Sequence, residues 1–517
     1  MRRSKAAVAL ALVATLAGPS LVPTGAAAAR GDLKGAAYSL GIDTFEPTLG
    51  ATANGDLYFS ITPSSPGVAI GWTASTAKST DGGKNWADIG PKVGDETMPP
   101  ETNDPYIYVD PGTGRIFQFH MSPILTCSIL SWSDDGGKTW QTNPVGCSPT
   151  GVWDHQTIVA AKPRTVETSG YPNVLVQCVN AVYALMCARS LDGGSTWLPV
   201  EPVYINDYLV TGGCGAQTGH LTAAPDGTIY LPTSVCGTNP TVFISKDDGA
   251  TWTRSVMSKM DTPFVDPSVS VDSKGNVYGT WIDNKGFLHM AVRRNSGKSW
   301  SKSVEVAPKW TANMPVIVAG DPGKIVVAYP STNDLRNGYE TKGYSMRGGD
   351  PNVVRKVAWG ANLTVSTNAL DAKPSFETVV ATGSDPLGRG AVCVAATRCD
   401  ILVDFIEAVI GPDGRPYAAF VDGCTGKCSK SADAPNDPGT GTGLMATLVS
   451  GPRLCASLCW RYEAARGKVA AAIALLYGVT NYEPSDAVGF TVTEMSRELQ
   501  RLREQATRSR IEAVTGR

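Results

Sequence analysis

Five carboxylates and a histidine head the apolar runs of this chain at recurring intervals. Glu46 precedes Leu49–Ile61, Asp104 precedes Tyr106–Phe119 and Asp154 precedes Thr157–Val179. His220 precedes Leu221–Leu231, Asp266 precedes Ser268–Trp281 and Asp404 precedes Ile406–Phe420. Met314-Pro315 opens a seventh run, Val316–Tyr329, without an acid. Two carboxylates at a suitable separation can divide glycoside hydrolysis between a general acid and a nucleophile or base. Crowding drives one acid's pKa up, which keeps a proton donor available near neutral pH. The same acids could instead hold Ca²⁺ with water and carbonyl oxygens. A local role competes with both: Asp or Glu before Pro caps a turn by accepting backbone N–H bonds, which accounts for Glu46, Asp104 and Asp266. Trp153, beside Asp154, offers an aromatic face to a sugar ring, with His220 and Arg115 as polar ligand-binding candidates.

These residues must be positioned by something periodic. Most runs contain a turn signal between two strand-like halves: Asn54-Gly55, Pro111-Gly112, Asp226-Gly227, Lys274-Gly275 and Asp413-Gly414. A second repeat runs in phase with the first. It reads Ser79-Thr80-Asp81-Gly82-Gly83-Lys84-Asn85-Trp86, then Ser133 to Trp140, Ser190 to Trp197 and Ser245 to Trp252, with a decayed copy from Arg293 to Trp300. Successive tryptophans lie about 50 residues apart, the period of a four-stranded propeller blade. Each Asp can accept N–H bonds from its own turn, Gly supplies the positive φ, and Trp packs on the blade. The units headed by Met314 and Asp404 carry no such turn.

The four intact Ser-x-Asp-x-Gly-x-x-Trp copies resemble the Asp-box repeats of the sialidase-like β-propellers. That resemblance implies an all-β ring of six or seven four-stranded antiparallel blades over residues 30–453, with the Asp-box turns at the blade periphery. It also implies a carbohydrate-active protein, in first place a sialidase-like glycoside hydrolase acting on an extracellular glycan or glycoprotein. A non-catalytic glycan- or protein-binding propeller is the alternative from another class. Sialidases of this kind grip their acidic substrate with three arginines, the first in a Phe/Tyr-Arg-Ile-Pro motif, and use a Tyr–Glu pair and an Asp. Here that region reads Gly41-Ile42-Asp43-Thr44-Phe45-Glu46-Pro47, with Asp43 as a stand-in acid and no arginine from Gly31 to Thr113. Most enzymes of the family have six blades, whereas seven units can be counted here.

Composition bounds the rest. A net charge of -2 supplies no basic stripe for nucleic acid, and four histidines make a His-built metal site a poor expectation. Arg2, Arg3 and Lys5 ahead of the apolar run Ala6 to Ala17, and small residues at Ala26 to Ala29, predict a secretory signal peptide over residues 1–29. No later apolar run is long enough to span a membrane. Twelve cysteines fall into neighbouring pairs (127/147, 178/187, 214/236, 393/399, 424/428, 455/459), the pattern of a disulfide-bearing exported protein. Residues 454–517 turn Ala-, Leu-, Glu- and Arg-rich and predict a tail of two helices.

Overall fold

The first turn of each repeat shows how local chemistry sets up a blade. Ser133 Oγ donates to Asp135 Oδ1 at 2.9 Å and accepts the Gly137 N–H at 2.9 Å, while Asp135 Oδ1 accepts the N–H groups of Lys138 and Thr139, both at 2.9 Å. The Thr139 N–H and then the Thr139 hydroxyl hold the Asp135 carboxyl down to about 2. Gly137 takes φ of 89°, and a Cβ there would lie 2.1 Å from Cδ1 of Ile89 on the neighbouring sheet. Asp81, Asp192 and Asp247 repeat this pattern. Trp140 Nε1–H donates across to Ile89 O at 2.9 Å, and Trp300 Nε1–H to Ser255 Oγ at 3.1 Å, so some of the tryptophans bind adjacent sheets together.

The computed structural model describes residues 32–455 apart from 64–71, 92–100, 103, 122–127, 146–152, 182–183, 206–212, 215–217, 264, 307, 309, 334–356, 391–404 and 435–440. Among the described residues, seven antiparallel sheets of at least four strands follow one another along the chain. Blade 1 runs Leu49–Ala51, Leu57–Ile61, Ser75–Ser79, Ala87–Asp88, and blade 2 runs Tyr106–Val109, Ile116–Met121, Ser128–Ser133, Gln141–Val145. Blade 3 uses Trp153–Ala161, Val174–Ala181, Ala184–Ser190, Glu201–Ile205, and blade 4 uses Thr222–Ala223, Ile229–Cys236, Asn239–Ser245, Thr253–Val256. Blade 5 has Ser268–Val271, Val277–Ile282, Leu288–Arg293, Val304–Glu305, and blade 6 has Val316–Ala319, Ile325–Thr332, Ala358–Ser366, Glu377–Val380 with two short additions.

Blade 7 takes three strands from the end of the ring, Ala408–Ile410, Pro416–Asp422 and Gly441–Ser450. Its fourth and outermost strand is Lys34–Thr44 from the start, which pairs from Lys34↔Ser450 to Thr44↔Gly441. The innermost strands neighbour one another in chain order, and Ala408–Ile410 returns to Leu49–Ala51. Seven blades are therefore present, as the seven counted units suggest. The predicted leader over residues 1–29 and the predicted helical tail lie outside the described residues, except that Leu454 and Cys455 close the propeller body.

The core lies between blades. Tyr58, Ile107, Val109 and Ile116 join blades 1 and 2; Phe117, Phe119, Trp132, Ile158 and Leu175 join blades 2 and 3. Leu49, Phe59, Tyr417, Ala419 and Met445 join blade 7 back to blade 1. Strands buried on both faces, such as Leu57–Ile61, read as continuous apolar runs for this reason. Blade 6 holds a turn that the sequence reading missed. Ser366 Oγ donates to Asn368 Oδ1 at 3.2 Å, which also accepts the Ser375 N–H at 2.9 Å, so Asn does there what Asp does in the intact copies.

Disulfides join Cys178 to Cys187, Cys214 to Cys236 and Cys424 to Cys428, the pairings expected. Cys455 is disulfide-bonded, whereas Cys127, Cys147, Cys393, Cys399 and Cys459 lie outside the described residues. The Asn362-Leu363-Thr364 sequon sits in the third strand of blade 6, where the Asn362 amide donates to Ser331 Oγ and Gly360 O at 2.7 Å each. An amide enclosed in this way is not presented for glycosylation.

His120 is buried in the second strand of blade 2 beside Gln118, their side-chain nitrogens 3.1 Å apart, and burial lowers its pKa from 6.5 to about 4. Between those values the unfolded chain holds a proton that the folded chain lacks. This group's contribution is complete above pH 6.5 and declines as pH falls toward 4, by about 1.4 kcal/mol per pH unit. Urea midpoints measured from about pH 7 down to about pH 4.5 should therefore fall less steeply in His120→Gln than in the parent. Parallel slopes would show that His120 is protonated in the native state.

Candidate functional site

Antiparallel pairing puts the start of each innermost strand at one end of the ring, together with the links between second and third strands. The links between first and second strands and the Ser-x-Asp-x-Gly-x-x-Trp turns lie at the other end. The strand-leading residues therefore converge on one mouth of the central channel.

Hydrogen bonds between blades fix which residues are equivalent. The Ile107 N–H donates to Thr48 Oγ1 at 2.6 Å, the Leu221 N–H to Thr157 Oγ1 at 2.8 Å and the Ile317 N–H to Ser268 Oγ at 3.2 Å. Each hydroxyl sits two residues after a strand-leading position, which makes Glu46, His155 and Asp266 equivalent. Asp104 and Met314 hold the same position in blades 2 and 6. In blade 3 the ring position thus belongs to His155 and not to Asp154, which the sequence reading placed there. Glu46, His155 and Met314 take φ of 45°, 48° and 41°, a left-handed kink that costs each of these residues about 1–2 kcal/mol. Backbone strain repeated at one level of a fold marks a place where side-chain direction matters more than local comfort.

The side chains at this level reach across the axis. The His155 backbone N–H donates to Asp104 Oδ2 at 2.8 Å, while its ring Nδ1 lies 3.1 Å from Asp266 Oδ2, so one residue of blade 3 joins carboxylates of blades 2 and 5. His220 of blade 4 places Nδ1 2.6 Å from Glu407 Oε2 of blade 7. The His220 ring lies edge-on to Tyr106 and Phe405, both at 5.0 Å between centroids, and His155 meets Phe405 at 5.7 Å. Burial, with Glu407 nearby, pushes the Tyr106 hydroxyl far above its ordinary pKa, so Tyr106 stays neutral. Gly219 holds His220 close to blade 5, since a Cβ on Gly219 would lie 2.0 Å from Pro267 O.

Glu46, Asp104 and Asp266 are all buried at the channel, as are His155 and Phe405. Trp153 and Asp154 begin the innermost strand of blade 3 opposite Ala181 and Asn180, just ahead of the ring position. Asp404 lies outside the described residues, next to Phe405. Arg115 departs from its expected role. It stands at the far end of the ring, where Nε and Nη2 donate to Asp134 at 2.6 and 2.7 Å, Nη1 donates to Gly193 O at 2.6 Å, and the guanidinium lies 4.4 Å from the Tyr171 ring centroid. It holds two blades together there. Trp132, Trp281 and Trp359 are buried core residues, not exposed sugar platforms. Among the described residues no group of three or more His, Cys, Asp or Glu is arranged to hold a metal ion.

Three channel residues escaped the sequence reading. His155 stands beside Asp154, and counting back from the hydroxyls Thr48, Thr157 and Ser268 would have selected it. Glu407 is a lone acid at the head of an otherwise apolar segment. Tyr106, two residues after Asp104, carries no signal of its own.

No family model and no curated protein matches this chain. Solved structures similar to it include a Hadza microbial sialidase at 16% identity and TM-score 0.37, covering 56% of this chain and 63% of that one. An intramolecular trans-sialidase from Ruminococcus gnavus aligns at 15% identity and TM-score 0.38, covering 56% of this chain and 90% of its own. An alpha-L-arabinanase from Penicillium chrysogenum aligns at 16% identity and TM-score 0.38, with the same two coverages of 56% and 90%. The alignment thus spans just under two thirds of the Hadza sialidase's length. The seven-bladed ring rests on the strand pairing itself.

Removing one partner of a buried hydrogen-bonded pair leaves the other unsatisfied, at about 1–3 kcal/mol. His155→Gln and Asp266→Asn should each lower stability substantially, and the double variant should lose clearly less than the sum. Denaturant unfolding of the four proteins measures this, and simple additivity would remove the cross-channel link from the account.

Proposed function

We propose that this propeller is a sialidase-like glycoside hydrolase acting on extracellular glycans, with neutral sugars the class its channel suits best. The observation that carries the reading is the convergence of Glu46, Asp104, His155 and Asp266 from four blades on one level of the axis. In this reading Asp104 and Asp266, linked through His155, supply the acid and base of glycoside cleavage, and Glu46 is the third acid beside them. Trp153 and Asp154 precede the ring position of blade 3, and Asp404 precedes Phe405 in the sequence. Disulfides in the body and the predicted leader favour an exported protein. A sugar that is itself a carboxylate would meet an acidic channel, and Arg115, the first arginine after residue 30, serves the opposite end.

A second reading keeps the glycan and drops the chemistry. Asp104 and Asp266 are only 5% and 6% exposed and both are engaged by His155, as expected if they hold a binding propeller closed. Mature protein should be offered a fluorogenic sialoside beside a panel of neutral glycosides. The proposal expects turnover of a neutral glycoside, lost by a factor of about 10³ or more in Asp104→Asn at unchanged fold. Cooperatively melting protein that turns over nothing would transfer the case to the binding reading, and sialoside turnover alone would contradict the sugar class.

A further inference from the structure

The two cross-channel histidine–carboxylate pairs differ in access. The side chains of His155 and Asp266 retain 2% and 8% exposure, whereas those of His220 and Glu407 retain 14% and 18%. The second pair is the more exposed of the two. Among the described residues His220 Nε2 has no hydrogen-bond partner, although the atom itself is enclosed. An enclosed polar atom without a partner costs about 1–3 kcal/mol and calls for an explanation. With Nδ1–H donated to Glu407, the neutral imidazole carries its lone pair on Nε2. The ring is held edge-on between Tyr106 and Phe405, which fixes where that lone pair points.

We propose that a sugar seating in the channel uncovers His220 Nε2, which then accepts a hydrogen bond from a sugar hydroxyl, and that Glu407 is the positioning residue that sets its tautomer. This rests on the glycan reading above and adds the residue that recognises the ligand. Nothing in it requires bond cleavage, so it applies equally to a propeller that only binds. The charged and titratable groups around His220 are Glu407 and the neutral Tyr106, with His155 and its partner Asp266 beyond Phe405.

The test uses full mature protein and arabino-, xylo- and galacto-oligosaccharides as probes, with calorimetry and histidine ¹⁵N spectra. The His220 signals are assigned by comparison with His220→Gln. At least one of these sugars should bind and shift the His220 Nε2 resonance, and His220→Gln should weaken it by about tenfold or more at unchanged melting temperature. Glu407→Gln should bind more weakly, and its His220 ¹⁵N signals should lose the single fixed tautomer. Sugars that bind without a Nε2 shift would reduce the pair to a structural link. Absence of binding by all three classes would overturn the proposal. Turnover insensitive to both substitutions would overturn it while leaving the hydrolase reading intact, and binding that depends on His220 without turnover would do the reverse.

Discussion

Everything in this molecule depends on closing the ring. A blade buried on both faces needs a neighbour on each side, so seven sheets laid in a row would leave two apolar faces in water. The pairing of Lys34–Thr44 with Gly441–Ser450 joins the two ends of the chain within one sheet, and Leu49, Phe59, Tyr417 and Met445 then pack blade 7 on blade 1. This closure spends its loop entropy across some four hundred residues, and the burial of whole sheet faces offsets it.

Closure has a consequence at the axis. Seven innermost strands begin within a narrow circle, and whatever side chains lead them must share that space. Here the leaders include Glu46, Asp104 and Asp266, and three crowded acids would repel one another in a poorly solvated channel. His155 answers this with its backbone N–H on Asp104 and its imidazole on Asp266, and His220 sets its imidazole against Glu407. The aromatic rings of Tyr106 and Phe405 fill the intervening volume. Two histidine–carboxylate pairs thus meet at this level, one sealed and one partly exposed.

The parts of this arrangement governed by short-range chemistry were legible in the sequence. The Ser, Asp, Gly and Trp of each turn act within eight residues, so four copies announce themselves and fix the blade period. The Asn368 turn was not legible because its acceptor is an amide and its partner Ser375 lies farther along. The strand heads were found, but the phase in blade 3 was off by one residue, since an acid beside a histidine drew the eye to Asp154. The cross-channel pairs could not be read at all: His155 and Asp266 lie 111 residues apart and His220 and Glu407 lie 187 apart, with no local pattern linking them. Arg115 was selected for its charge, while its actual work is set by Asp134, Gly193 and Tyr171 at the other end of the ring.

The central claim is that the level of the channel occupied by these pairs is where a ligand rests. Its most direct test is a crystal structure of the mature protein soaked with a neutral oligosaccharide. The account predicts sugar density at the mouth, above His220 and Glu407, with a ring hydroxyl within hydrogen-bonding distance of Nε2. Density seated on the outer strands of the blades, with the channel residues unmoved and unvisited, would contradict it.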